Sequence, residues 1–258
     1  MIPMTIRFAG AAMAACLALT PAAPAAAQQF SAPQKTEIEQ IIRDYIINHP
    51  EVLQEAIAEL DKRQAAAETE KARAAVASSA ETLFNSTHQV VLGNPKGDVT
   101  MVEFFDYNCA FCKRALSDMM ELLKDDPKLK VVLKEFPVLG PGSVDAAKVA
   151  FAVRMQDKAG KKYIDFHQKL LGGSRGPVDK ARALAVAKEV GMDMARLDKD
   201  MASDEIKVSL DESLKLAETI GLSGTPSYII GSDVVVGAVG LDALRSKVAF
   251  ARCGKTAC

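Results

Sequence analysis

An α/β body with a helical insertion, carried behind an N-terminal helical arm, is the fold class this sequence predicts. Three observations predict it. Short runs rich in Val, Ile and Phe alternate with helical stretches after residue 89, and an Ile-rich stripe at helix spacing precedes them. A long helical tract, about 142–220, separates the early strands from the late ones. With 49% hydrophobic and 25% charged residues, the 258-residue chain can build a sizeable core. A net charge of −1, no Trp and 5% aromatics supply neither a basic field nor a stacking surface, which argues against nucleic acid as a partner.

The first segment reads as an address. Arg7 is followed by the apolar run Phe8 to Leu19, then Pro21, Pro24 and Ala25-Ala26-Ala27-Gln28. This reads as a signal peptide, residues 1–27, with cleavage expected after Ala27 and export as its consequence. The apolar run is too short to anchor the chain, since crossing roughly 30 Å of hydrocarbon takes about 20 residues. A lipoprotein signal at Cys16 fits less well, because Cys16 falls inside the run rather than after it. Of the five cysteines, Cys109, Cys112, Cys253 and Cys258 would then meet an oxidising compartment.

Residues 28–88 form the expected arm and spacer. Ile38, Ile41, Ile42, Tyr45 and Ile46 make an apolar stripe at helix spacing, which Asn48-His49-Pro50 interrupts. Pro50 suits the first turn of a second helix, along which Val52, Leu53, Ala56, Ile57 and Leu60 continue the stripe. From Asp61 to Ala80 the chain favours helix but offers almost no large apolar residue, so an exposed spacer is expected. The stripe either docks on its own body or meets copies of itself, and symmetric self-association is the simplest way to cover it.

Residues 89–258 form the expected body. Strands are expected at 90–92, 100–106 and 129–136, with a helix at 110–124 between the last two and the turn Asn94-Pro95-Lys96-Gly97 between the first two. The helical insert follows, punctuated at Gly172-Gly173, Gly191 and Ser203. A hairpin at 228–236 turns around Gly231-Ser232-Asp233, and a helix from Leu241 to Ala251 closes the chain.

The chemistry is expected at Cys109-Ala110-Phe111-Cys112. A lone CxxC is also half of a zinc ribbon, so context decides. The only later cysteines are Cys253 and Cys258, and His49, His88 and His167 show no ligand spacing, so neither a metal nor another cofactor is expected. Here the motif follows an apolar strand and opens a helix. That puts Cys109 at a helix N-terminus, where N–H groups and the helix dipole stabilise a thiolate. Cys112, one turn on, lies within reach of a mixed disulfide formed at Cys109. Glu103, a carboxylate within the strand, points either to solvent or inward, where it would exchange a proton with Cys112. Pro226 in Gly224-Thr225-Pro226 is either a trans edge marker or a cis residue that frees the Thr225 backbone to pair with a substrate strand. Phe111 is a candidate for a substrate groove; Phe105 fits either that groove or the core. Cys253 and Cys258 read first as a structural disulfide, worth roughly 2 kcal/mol. A second redox pair and a Cu(I) thiolate site are the alternatives.

Taken together, Glu103-Phe-Phe-Asp-Tyr-Asn-Cys109-Ala-Phe-Cys112-Lys-Arg, Lys134-Glu-Phe-Pro137-Val-Leu-Gly-Pro141 and Gly224-Thr225-Pro226 resemble the DsbA-like thioredoxin-fold proteins of the bacterial periplasm, over about 89–250. Ile41-Ile-Arg-Asp-Tyr45 and Asn48-His-Pro-Glu-Val-Leu53 resemble the arm of the suppressor-of-copper-sensitivity protein C (ScsC) group. The resemblance implies a thioredoxin fold with inserted helices, Cys109 as nucleophile, Cys112 as resolving thiol, Glu103 as buried acid and a cis Pro226. It also implies a disulfide isomerase or reductase acting on misoxidised or unfolded exported proteins. Such a protein is a homo-oligomer, favouring a trimer, joined through the arm and kept reduced by a membrane-bound reductase of the ScsB/DsbD type. One departure is visible: strong oxidases of the family carry Pro-His between the cysteines, where this chain has Ala110-Phe111. A dithiol oxidase and a copper-binding protein are the rival functions.

Overall fold

The computed structural model describes residues 30–173 and 176–258, so the expected signal peptide, 1–27, lies outside the described residues. The chain divides into two compact units, at Glu59/Leu60.

The first unit is helical. In α1 (Ala32–Asn48), Gln34 Oε1 accepts from the Ser31 backbone N–H at 2.9 Å and from its hydroxyl at 3.0 Å, which fastens the first turn. The helix stops at His49, ahead of Pro50, and α2 (Glu51–Ser78) begins directly after it. No residue of α1 is buried; Ile41, Ile42 and Tyr45 are all more than half exposed.

The second unit is built on a five-stranded sheet in the order β1-β3-β2-β4-β5. Its strands are β1 (Val90–Gly93), β2 (Val99–Phe105), β3 (Leu129–Glu135), β4 (Ser227–Ile230) and β5 (Asp233–Val236). β2 and β3 are parallel, linked through α4 (Ala110–Asp125), and every other neighbouring pair is antiparallel. Both faces of the central strands are covered, so β2 reads as a nearly continuous apolar run rather than an alternation. Met101, Phe105, Leu133 and Tyr228 face one core with α4, α10 (Leu241–Cys253) and much of the helical insert. Val102, Phe104, Val132 and Ile229 face the other.

That second core alters the expected boundary at residue 89. Val76 of α2 and Leu83 of α3 (Ala80–Asn85) are buried in it, beside Phe104 and Phe136. Buried Lys134 donates to the Thr82 carbonyl at 2.9 Å and to Glu212 at 3.2 Å, and Lys130 donates to the Phe84 carbonyl at 2.8 Å. The end of the expected spacer is therefore part of the body. A single Val in an Ala-rich helix makes no periodic stripe, so only packing reveals it.

The insert resolves, among the described residues, into α5 (Pro141–Gln156), α6 (Lys161–His167) with a π-helical turn (Gln168–Gly172), α7 (Lys180–Glu189), α8 (Met194–Met201) and α9 (Asp204–Ile220). The break between α5 and α6 adds to those expected. Gly160 takes φ 75° there, and the Asp157 carboxylate accepts the Lys162 and Tyr163 N–H groups, capping α6 from outside.

Candidate active site

Cys109 is the N-cap of α4. Its Sγ accepts the Cys112 backbone N–H at 3.3 Å and lies 3.1 Å from the Thr225 carbonyl oxygen, to which the thiol donates. Both cysteines are free thiols. Cys112 is wholly buried, and burial pushes its thiol pKa up, so this sulfur is held as the protonated reserve. The Thr225–Pro226 bond is cis. The Thr225 carbonyl faces Cys109 just before β4 begins, and Gly237 donates to the Pro226 carbonyl at 2.8 Å.

Two residues given no role from sequence hold this corner in shape. The Asp106 carboxylate, buried at the end of β2, accepts the Asn108 N–H at 2.8 Å and those of Val138 and Leu139 at 2.9 Å each. Asn108 then clasps the insert: its amide donates to Ser143 Oγ at 3.0 Å and to the Val178 carbonyl at 2.9 Å, and accepts the Val178 N–H. Close approach is required there, since a Cβ at Gly142 would sit 2.7 Å from the Val178 carbonyl oxygen. The available signal was the turn-forming Asp-Tyr-Asn directly ahead of a helix N-cap. Asp106→Ala strips three backbone donors of one carboxylate. It is expected to cost roughly 3 kcal/mol in denaturant unfolding and to slow thiol exchange by loosening the loop that carries Cys109.

Glu103 points inward. It is 2% exposed, and burial, reinforced by the Asp118 charge, raises its carboxyl pKa to about 8. Phe111 is exposed beside Cys109, with the Arg114 guanidinium 4.6 Å above its ring. Phe111, Arg114, Asp118 and Thr225 line a hollow of about 530 Å³, and a second of about 580 Å³ opens on the other side of Cys109 against Leu139, Leu171 and Pro177. Phe105 belongs to the core rather than to either hollow, edge-on to Tyr107 and to His167. Burial brings the His167 pKa down to about 3, so its ring is a neutral hydrogen-bond partner for Tyr107, at 3.3 Å. Cys253 and Cys258 are joined (S–S 2.10 Å) on the exposed end of α10.

The comparisons with known proteins fall on these two parts separately. A family model described as a DSBA-like thioredoxin domain matches residues 100–249, and the copper resistance protein ScsC N-terminal domain matches residues 34–67. A thioredoxin-like oxidoreductase from Silicibacter pomeroyi is 41% identical, with a TM-score of 0.63 over 67% of this chain and 96% of that one. The thiol-disulfide exchange protein α-DsbA2 of Wolbachia pipientis is 32% identical, with a TM-score of 0.64 over 69% and 94%. Proteus mirabilis ScsC in a transitional conformation is 28% identical, with a TM-score of 0.64 over 87% and 98%. The chain spans about a quarter of the length of the curated relatives it matches first, Na⁺/H⁺ antiporters NhaA of Salinispora (25% and 24%). With more than half of its length matched to one family and its arm to another, the chain belongs to the family of DSBA-like thioredoxin domains and carries an ScsC-type N-terminal domain.

Proposed function

We propose that the protein is a periplasmic disulfide isomerase and reductase of misoxidised exported proteins, assembled as a homo-oligomer, a trimer, through its arm. The dithiol supplies the chemistry. Cys109, as thiolate, attacks a wrong disulfide; one substrate sulfur is captured in a mixed disulfide and the other leaves as a thiol. A second substrate thiol then attacks and regenerates Cys109, which is isomerisation. Alternatively Cys112 attacks, the substrate leaves reduced by two electrons, and Cys109 and Cys112 are left oxidised as a disulfide. A membrane-bound reductase of the ScsB/DsbD type then returns two electrons. Cleavage after Ala27 delivers the chain to that compartment.

The observation that carries isomerase over oxidase is the arm. Its Ile stripe is exposed in a segment similar to the ScsC N-terminal domain, and apolar surface of that kind is covered by copies of itself. Several dithiols then surround one misfolded chain. The test is reactivation of scrambled ribonuclease by the chain from Gln28 and by a version starting at Leu60, where the second compact unit begins. Reactivation by the longer chain alone is expected. If neither reactivates it and both oxidise reduced ribonuclease, the protein is an oxidase.

A further inference from the structure

Tyr228 of β4 is 0% exposed, and its hydroxyl has no hydrogen-bond partner. Glu103 stands directly opposite it on β2, with Oε2 equally buried and unpartnered. Residues paired across an antiparallel ladder present their side chains to one face, with Cβ atoms about 5 Å apart. That face is the one that packs on Cys109 and Cys112. A buried hydroxyl left without a partner is costly, and phenylalanine would fill the same space without that cost. The hydroxyl therefore has something to do.

The groups on this face limit what that is. From α4 come Cys109, Cys112 and Asp118; from β3 comes Leu133, opposite Glu103; from α10 come Leu244 and Val248. Asp118 is an acceptor when ionised. Apart from the thiols, the donor among these named groups is the Tyr228 hydroxyl. Burial, reinforced by Glu103, Cys112, Asp118 and Cys109, pushes the phenol pKa up, so it keeps its proton and remains a donor.

We propose that Tyr228 is a positioning residue for the resolving step: its hydroxyl, unbonded in the resting dithiol, turns to donate to the Glu103 carboxylate as Glu103 ionises and so favours the ionised form that accepts the Cys112 proton. In that step the Cys112 S–H proton passes to Glu103, and the Cys112 sulfur bonds to Cys109. The bond between Cys109 and the substrate sulfur breaks. The electron pair departs on that sulfur, which takes a proton from water. The inference rests on the exchange chemistry proposed above, with Glu103 as the base, and adds the group that favours its ionisation.

The experiment mixes the reduced full chain with a disulfide-bonded model peptide at pH values from 6 to 9, stops each reaction by strong acid, and follows the mixed disulfide by mass spectrometry. Tyr228→Phe is expected to leave its formation unchanged. Its decay is expected to slow about tenfold at pH 7, with the midpoint of the decay–pH profile moving up by about one unit. In a Glu103→Gln background the same substitution is expected to change neither. Unchanged decay and midpoint in Tyr228→Phe, or equal slowing in the Glu103→Gln background, overturns the inference. If the unmodified chain forms no mixed disulfide at all, the exchange reading itself fails, and the inference falls with it. An independent measurement needs no variant: as Glu103 ionises, the C–O stretching band of Tyr228 must move in the infrared difference spectrum, and a stationary band also overturns the inference.

Discussion

Cys109→Ser is expected to lower thiol–disulfide exchange by roughly 10³-fold or more, to the background of free thiols, because a serine hydroxyl gives no comparable nucleophile at neutral pH. Cys112→Ser is expected to behave differently. Attack still occurs at Cys109, but the wholly buried resolving sulfur is gone, so the mixed disulfide accumulates and can be isolated on a non-reducing gel. The contrast between the two serines is the test. If both variants merely slowed turnover to the same degree, with no trapped adduct from Cys112→Ser, Cys109 would not be the attacking sulfur. Neither substitution should disturb the fold, since Cys→Ser adds no volume and the corner is held by Asp106 and Asn108.

Glu103→Gln is expected to change stability in a pH-dependent way, and at alkaline pH by a large amount. The folded protein holds the Glu103 proton up to about pH 8, whereas an unfolded chain releases it near 4.5. The stability this contributes is fully present below pH 4.5 and is lost as pH rises through 8, because the folded state there must ionise a buried acid. Over that window the linkage is of order 3–5 kcal/mol. The variant carries no such proton. Its advantage over the unmodified chain should therefore be smallest near pH 4 and largest near pH 9, measured by urea unfolding at each pH. A constant difference between the two chains across that range would show that Glu103 ionises normally.

Why one partner of this pair was visible beforehand and the other was not follows from what each looks like in the chain. An acid inside Thr100-Met-Val-Glu-Phe-Phe breaks an apolar run and draws notice. Tyr228 in Ser227-Tyr-Ile-Ile is an ordinary strand residue, and only the register that sets it against Glu103 gives its hydroxyl a meaning. Asp106 and Asn108 were likewise hidden in plain sight. Their side chains reach Val138, Leu139 and Val178, thirty to seventy residues on. No local pattern encodes such partners.

The element order, the strand–CxxC–helix junction and the two-helix arm were legible in the chain, because each is a matter of short-range periodicity, capping or turn chemistry. It carried the family as well, through three short motifs. The tertiary structure decided where the body begins, at the helix bearing Val76 rather than at the first strand, and that Glu103 faces inward. It placed Phe105 in the core and brought Thr225 against Cys109. It also joined Cys253 to Cys258 on the exposed end of α10. Except for that disulfide, whose cysteines are separated by 5 in the chain, all of these depend on which faces meet once the sheet is assembled. A strand covered on both sides loses the alternation that would otherwise have shown, residue by residue, which side chains turn toward the dithiol.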